Sequence, residues 1–67
     1  MAKSKNDFIN ELIQTAQDSI WKNELALEYT ELYGEGTEAE KKLKIDGCNH
    51  AIKKDQEYIE FLKSKLV

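Results

Sequence analysis

One short segment carries residue types that bind metals or act as nucleophiles. It contains Asp46, Cys48, Asn49 and His50. On an α-helix the Cys48 and His50 side chains point about 200° apart, so they cannot chelate one ion. Asp46 and His50 share a face, but one carboxylate and one imidazole are too few for a structural zinc site unless a two-fold axis doubles them. A helical ion pair explains the spacing, and we expect neither a metal nor a cofactor.

Nucleophilic catalysis by Cys48 would need a base within hydrogen-bond reach, and His50 points away from it. We therefore expect Cys48 to be an inert thiol in a helix-packing seam. As the single cysteine of the chain, it cannot close an intramolecular disulfide. We predict that the chain is not an enzyme.

Asp55 is a carboxylate within an otherwise apolar series. One interpretation is a polar device that fixes the register or oligomeric state of a coiled coil. The other is that the seam drifts outward at this point, so that Asp55 pairs with Lys54, Thr15 or Ser19. Catalysis by Asp55 alone is not expected, because no second titratable group faces it.

An acidic segment with apolar residues among its glutamates is the best candidate for a binding surface. Acids near the C-terminus of a helix oppose the helix dipole, so Glu28 and Glu31 have no local structural reason to be there. We predict a partner-binding surface with apolar anchors and steering charges at Trp21, Leu25, Tyr29, Leu32, Glu24, Glu28, Glu31 and Glu35. The alternative is a solvated face beside a homodimer seam.

The overall charge argues against nucleic acid as a partner. The net charge is −3, and all ten basic residues are lysine. Nucleic-acid-binding domains usually carry a basic excess, with arginines that contact phosphate and guanine. The alternative that remains is binding through a local lysine cluster on a dimer, which comprises Lys41, Lys42, Lys44, Lys53 and Lys54. Asp46 and Asp55 lie among these lysines and weaken that patch.

Two long helices must position all of these residues. The sequence has 67 residues, no proline and three glycines, and its only strong breaker is the segment 34–36. We predict helix one over about residues 5–33, a turn at 34–36 with Gly34 left-handed, and helix two over about 38–66. Ser4 or Asn6 can cap the first helix, and Thr37 with Glu40 fits a capping box for the second. The short turn predicts a single-domain, all-α antiparallel hairpin.

Apolar residues at alternating steps of three and four predict the packing seam of this hairpin. Helix one contributes Ile9, Ile13, Ala16, Ile20 and Leu27. Helix two contributes a core or dimer seam made of Ile45, Cys48, Ile52, Asp55, Ile59, Leu62 and Leu66.

A second apolar stripe lies nearly opposite this seam on helix one, at Trp21, Leu25, Tyr29 and Leu32. Either the helix breaks near Ser19–Asn23 and turns its second half inward, or the stripe meets another chain. We favour the second interpretation, because exposed apolar stripes usually mark interfaces. A lone hairpin also buries little apolar area, and small domains without disulfides commonly oligomerise. We therefore predict a homodimeric four-helix bundle, with Gly47 allowing close approach of the helices.

These features together predict a small acidic protein-binding module. It would be a regulatory or inhibitory accessory protein that occludes a basic surface of its partner, which could be a nucleic-acid-binding enzyme. Size and composition are typical of such proteins in a bacterium or its phage. No apolar run reaches the roughly 18 residues of a membrane span, and the N-terminus lacks a signal-peptide stretch, so we expect a cytoplasmic location.

Overall fold

Two antiparallel helices form nearly all of the chain. The computed structural model describes residues 3–67, in which α1 spans Lys5–Tyr33 and α2 spans Glu38–Ser64. The helices pack along their length into a ribbon of 52 × 20 × 11 Å. This arrangement confirms the predicted all-α two-helix hairpin. Neither helix is long and apolar enough to cross a membrane.

Capping at the open end of the hairpin explains where α1 begins. The Ser4 hydroxyl accepts a hydrogen bond from the Asp7 amide at 3.1 Å, and the Asp7 carboxylate accepts one from the Ser4 amide at 3.2 Å. This reciprocal pair satisfies two of the amides that a helix start leaves unpaired. Asn6, the other predicted cap, instead joins the two ends of the hairpin: its side-chain amide makes two hydrogen bonds of 3.1 Å with the Val67 backbone.

The start of α2 shows half of the predicted capping box. The Thr37 hydroxyl accepts from the Glu40 amide at 3.2 Å. The return bond from Glu40 to the Thr37 amide is not made, because the Glu40 carboxylate lies beside Gly36. At its other end α2 stops at Ser64, two residues before the predicted end, with Lys65 as the C-cap.

The left-handed residue of the turn is Gly36, not Gly34 as predicted. Gly36 has φ 102°, whereas Gly34 has φ −59° and ψ 134°. The Gly34 amide donates to the Thr30 carbonyl at 2.9 Å and so completes the last helical hydrogen bond. A Cβ atom at Gly34 would clash with that carbonyl oxygen, so glycine is required there by close approach.

The core is a thin line of side chains along the helix contact. Ile9, Ala16, Ile20, Ile59 and Leu62 are its buried apolar members. Ala16, Ile20 and Ile59 form one cluster, against which Ile13 and Ile52 pack. α1 passes through Ser19–Asn23 without interruption, so the alternative in which the helix breaks there is wrong.

Candidate functional site

The residues that could hold a metal or act as a nucleophile are distributed around α2. Asp46 and His50 are exposed, and Cys48 is a half-buried free thiol in the seam. Across residues 3–67, no three His, Cys, Asp or Glu side chains lie close enough together to hold an ion. The candidate chemistry of this segment is therefore not assembled into a site.

Asp55 lies half-buried at its seam position and makes no hydrogen bond or ion pair with another residue of the described chain. The proposed pairing with Lys54, Thr15 or Ser19 is therefore wrong. No side-chain oxygen among residues 3–67 is both buried and unpaired, so the Asp55 carboxylate keeps contact with solvent at the edge of the seam. This solvent contact agrees with an outward drift of the seam, and the role of Asp55 in register or oligomeric state stays a prediction.

The other seam residues of α2 decrease in burial towards the tip and the open end. Ile59 and Leu62 are buried, Ile45, Cys48 and Ile52 are half-buried, and Leu66 is 37% exposed. The packing is closest in the half of the hairpin that holds Ile59. The tip half contributes little apolar burial.

Two seam positions of α1 are polar, and the predicted apolar seam did not include them. The Asn23 side chain donates to the Ser19 carbonyl at 2.9 Å, and the Thr30 hydroxyl donates to the Ala26 carbonyl at 2.8 Å. Each polar group is satisfied within its own helix, which explains how it can face α2. The spacing of three and four residues was the available signal, since Asn23 and Thr30 continue the series from Ile20 and Leu27.

The four predicted apolar anchors lie on the outer face of α1, away from α2. Trp21, Leu25, Tyr29 and Leu32, here called the ridge, are between 52% and 67% exposed. Helical spacing places them on one side of the uninterrupted helix, opposite Ala16, Ile20 and Leu27. No part of the described chain covers them.

The four predicted acidic residues are exposed near the ridge. Glu24, Glu28 and Glu31 occupy the side of α1 next to it, and Glu35 lies in the turn. Glu31 also lines a groove at the tip together with Glu38, Lys41 and Lys42. The ridge and its acids thus form one surface in which the apolar and acidic residues alternate.

The two broad faces of the hairpin differ strongly in composition. With the seam residues at heptad positions a and d, the g and c positions of both antiparallel helices lie on one face, and the e and b positions lie on the other. Two grooves at the tip agree with this assignment. Tyr29, Tyr33 and Lys44 line one groove, and Glu31 and Lys42 line the other.

The g and c face is here called the aromatic flank. It contains five of the six aromatic residues: Phe8, Tyr29, Tyr33, Tyr58 and Phe61. Of these, Tyr29 lies at the border with the ridge. The charged residues of its helices are five lysines and Glu40, and Glu35 of the turn lines the tip groove on the same side. The e and b face, here called the acidic flank, carries Trp21 as its only aromatic residue, together with several carboxylates and side-chain amides.

The lysines proposed for nucleic-acid binding do not form one patch. Lys44 and Lys54 lie on the aromatic flank, whereas Lys42 and Lys53 lie on the acidic flank. Lys41 is half-buried at the seam. Neighbouring positions along a helix face different directions, which separates these residues despite their closeness in the sequence.

Comparison with known proteins gives no further guide to function, because no protein family, no curated protein and no solved structure matches this chain.

Proposed function

We propose that this hairpin is a protein-binding module that acts by covering a basic surface of its partner. The observation that carries the proposal is the ridge, which is an exposed apolar stripe on the back of an unbroken helix with glutamates along one side. The proposed action is binding alone, without catalysis. A partner could be a nucleic-acid-binding enzyme, since an acidic surface can occupy a site that normally holds phosphates.

The apolar residues of the ridge would supply most of the binding energy. Trp21 and Tyr29 belong to the residue types that are most enriched among binding hot spots, and Leu25 and Leu32 extend the contact. Each side chain exposes more than half of its surface, so a partner could remove that area from water. An apolar stripe on the solvent side of a helix has no other role in the packing of this hairpin.

The acidic residues would determine which partner approaches. Glu24, Glu28 and Glu31 have no lysine partner within residues 3–67, and their charges are exposed to solvent. Such uncompensated charges raise the association rate with a basic surface and oppose contact with phosphates or other acidic surfaces. Two ridges facing each other would also bring these glutamates together, which favours a different protein over a second copy.

The experiment compares binding partners of matched variants. The double variant Trp21→Ala/Leu25→Ala removes half of the ridge, and Leu43→Ala removes a leucine of similar exposure on the outer face of α2. Proteins cross-linked to the wild-type chain in lysate of the source cells are identified, and each is then purified and titrated directly.

We expect the ridge variant to weaken the direct interaction at least tenfold, which corresponds to about 1.4 kcal/mol. Leu43→Ala should leave it unchanged. Glu24→Gln/Glu28→Gln should slow association and reduce its salt dependence. If the ridge variant and Leu43→Ala bind every purified partner as well as the wild type does, the ridge is not the binding surface.

The homodimeric four-helix bundle stays a prediction. A bundle requires that a second hairpin cover one broad face, and the aromatic flank is the face with apolar groups to bury. Gly47 lies on that face, and the position that a Cβ atom would take there is open, which would allow close approach of a second helix. The lysines of the same flank oppose this pairing, because two copies would bring their like charges together.

A further inference from the structure

We propose that the aromatic flank is a binding surface for single-stranded nucleic acid. In this proposal the exposed rings stack with bases, and the lysines between them contact phosphates. The proposal does not depend on the ridge or on its partner, since most of the flank lies around the side of the hairpin. It also differs from the lysine cluster predicted from the sequence, three of whose five members lie elsewhere.

The rings of the flank are available to a ligand. Phe8, Tyr33, Tyr58 and Phe61 are between 44% and 68% exposed, as is Tyr29 at the border with the ridge. They form two groups, one at the open end of the hairpin and one at its tip. In the tip group the ring centroids of Tyr29 and Tyr33 are 5.5 Å apart, with their planes tilted by 48°. Exposed rings of this kind stack with bases of any type, at about 1–3 kcal/mol per base.

The positive charges of the flank extend along its whole length. Lys5 and Lys65 lie at the open end, Lys22 and Lys54 near the middle, and Lys44 at the tip, and all five are exposed. Two carboxylates lie at the tip of this face: Glu40 is beside Gly36, and Glu35 of the turn lines the groove with Tyr29, Tyr33 and Lys44. The flank therefore has an excess of positive charge although the chain has a net charge of −3.

One lysine of the flank makes a cation–π contact with one of its rings. The Lys65 Nζ atom lies 5.3 Å from the centroid of the Phe61 ring. A cation held against an aromatic face is stabilised by the ring quadrupole. A base that stacks on this ring would displace the ammonium group from the ring face, and the freed ammonium group could then contact the phosphate.

Charge complementarity selects an anionic strand over a second copy of the chain. A strand with one phosphate per nucleotide neutralises the lysines, whereas a second aromatic flank would add five more. Single strands fit better than duplexes, because only their bases are open for stacking. The chain has no arginine to read base edges, so binding should tolerate different sequences.

The first measurement is fluorescence anisotropy of a labelled oligothymidylate of about 16 nucleotides, which is the upper site size of a single-strand-binding OB fold. We expect saturable binding at low salt that weakens as salt is added. If all five lysines engage phosphates, log K should fall with log salt at a slope of about −3.5. An absence of binding at low salt would overturn the proposal.

Lysines that are close in the sequence but lie on opposite faces of α2 provide a matched pair of variants. Lys44→Gln/Lys54→Gln removes two charges from the aromatic flank, and Lys42→Gln/Lys53→Gln removes the same two charges from the opposite face of the same helix. The first variant should flatten the salt slope by about 1.4, and the second should leave it unchanged. Equal changes in the two variants would show that net charge alone governs binding, which contradicts the proposal.

The role of the rings is tested with Tyr33→Leu/Phe61→Leu and with an abasic strand of the same length. We expect each change to weaken binding at least tenfold while the salt slope stays the same. If the abasic strand binds as well as oligothymidylate, the flank is a general polyanion site and the stacking proposal fails.

Binding that occurs only to vesicles of phosphatidylserine and phosphatidylcholine would assign the flank to a membrane surface instead. A dimer that persists at low salt and is lost in Tyr33→Leu/Phe61→Leu would assign it to a second copy.

Discussion

Asp55 shows how one residue limits the stability of this hairpin. It lies between Ile52 and Ile59 in the α2 seam, where it is half-buried and forms no ion pair within residues 3–67. A carboxylate at this position contributes no apolar contact to the adjoining cluster of Ala16, Ile20 and Ile59. The residue therefore weakens the seam near its best-packed point, unless its role is to specify how helices pair.

We predict that Asp55→Leu stabilises the hairpin by about 1–2 kcal/mol, since leucine adds buried apolar surface and has a higher helix propensity than aspartate. Asp46→Leu places the same side chain at an exposed position of α2. It should increase the stability of the hairpin by only a few tenths of a kcal/mol. Urea unfolding followed by circular dichroism measures both. If Asp55→Leu is no more stable than Asp46→Leu, the seam does not close around position 55.

If Asp55 also fixes the register, the stabilised variant should unfold less cooperatively. A slope of the unfolding free energy against urea that is lower than in the wild type would indicate that several pairings coexist. An unchanged slope would show that the remaining seam residues suffice to set the register.

The helices themselves follow from signals that are local in the sequence. The glycines at 34 and 36, the caps at Ser4 and Thr37 and the alternation of three and four residues predict two helices joined by a short turn. The assignment of the left-handed conformation to Gly34 was wrong. Gly36 follows two residues later, and the sequence does not show which of the two glycines adopts that conformation. The choice between them depends on hydrogen bonding: α1 continues until the Gly34 amide bonds to Thr30, and the reversal then falls on Gly36.

Two glycine substitutions should have opposite effects. Gly36→Ala should destabilise the hairpin by about 1–2 kcal/mol, because alanine is strained at positive φ. Gly47→Ala should stabilise it by about 0.8 kcal/mol, since Gly47 lies inside α2 with nothing within 4 Å of the added methyl group. Thermal unfolding at equal protein concentration measures both.

If Gly47→Ala destabilises the protein, Gly47 must lie against another helix in solution, as the predicted bundle would require. A neutral Gly36→Ala variant would show that the turn adopts a different backbone conformation.

The candidate surfaces were only partly predictable from the sequence. The ridge was evident because its residues recur on one face of one helix, opposite the seam. The aromatic flank was missed because its members come from both helices. It becomes visible only when antiparallel pairing places the g positions of α1 and α2 on the same side. A net charge summed over the chain also conceals that five of the ten lysines lie on the aromatic flank, whereas most glutamates lie elsewhere.

At the scale of the whole molecule, this hairpin exposes more surface than a compact protein of its size. Its accessible surface is 5357 Å², and a compact monomer of 7.8 kDa exposes about 4,400 Å². The excess of about 1,000 Å² is similar to the area of about 800 Å² that each partner contributes to a standard interface. The size of the exposed surface is consistent with a chain that functions in contact with another molecule.

The predicted homodimer should depend on salt in a characteristic way. If two copies pair through their aromatic flanks, added salt screens the repulsion between lysines, and the dimer fraction should rise between about 50 mM and 500 mM salt. Sedimentation equilibrium measures this fraction, and Lys44→Gln/Lys54→Gln should raise it at low salt. A chain that stays monomeric under all of these conditions would show the bundle prediction to be wrong.

The chain has one tryptophan, which lies on the ridge, and one cysteine, which lies in the seam. Trp21 emission should therefore shift to shorter wavelength and resist quenching when a ligand covers the ridge, yet change little when one covers only the far side of the aromatic flank. Modification of the half-buried Cys48 thiol should instead become faster when the helices separate. The unlabelled protein thus contains an optical reporter of ligand binding at the ridge, Trp21, and a chemical reporter of helix separation, Cys48.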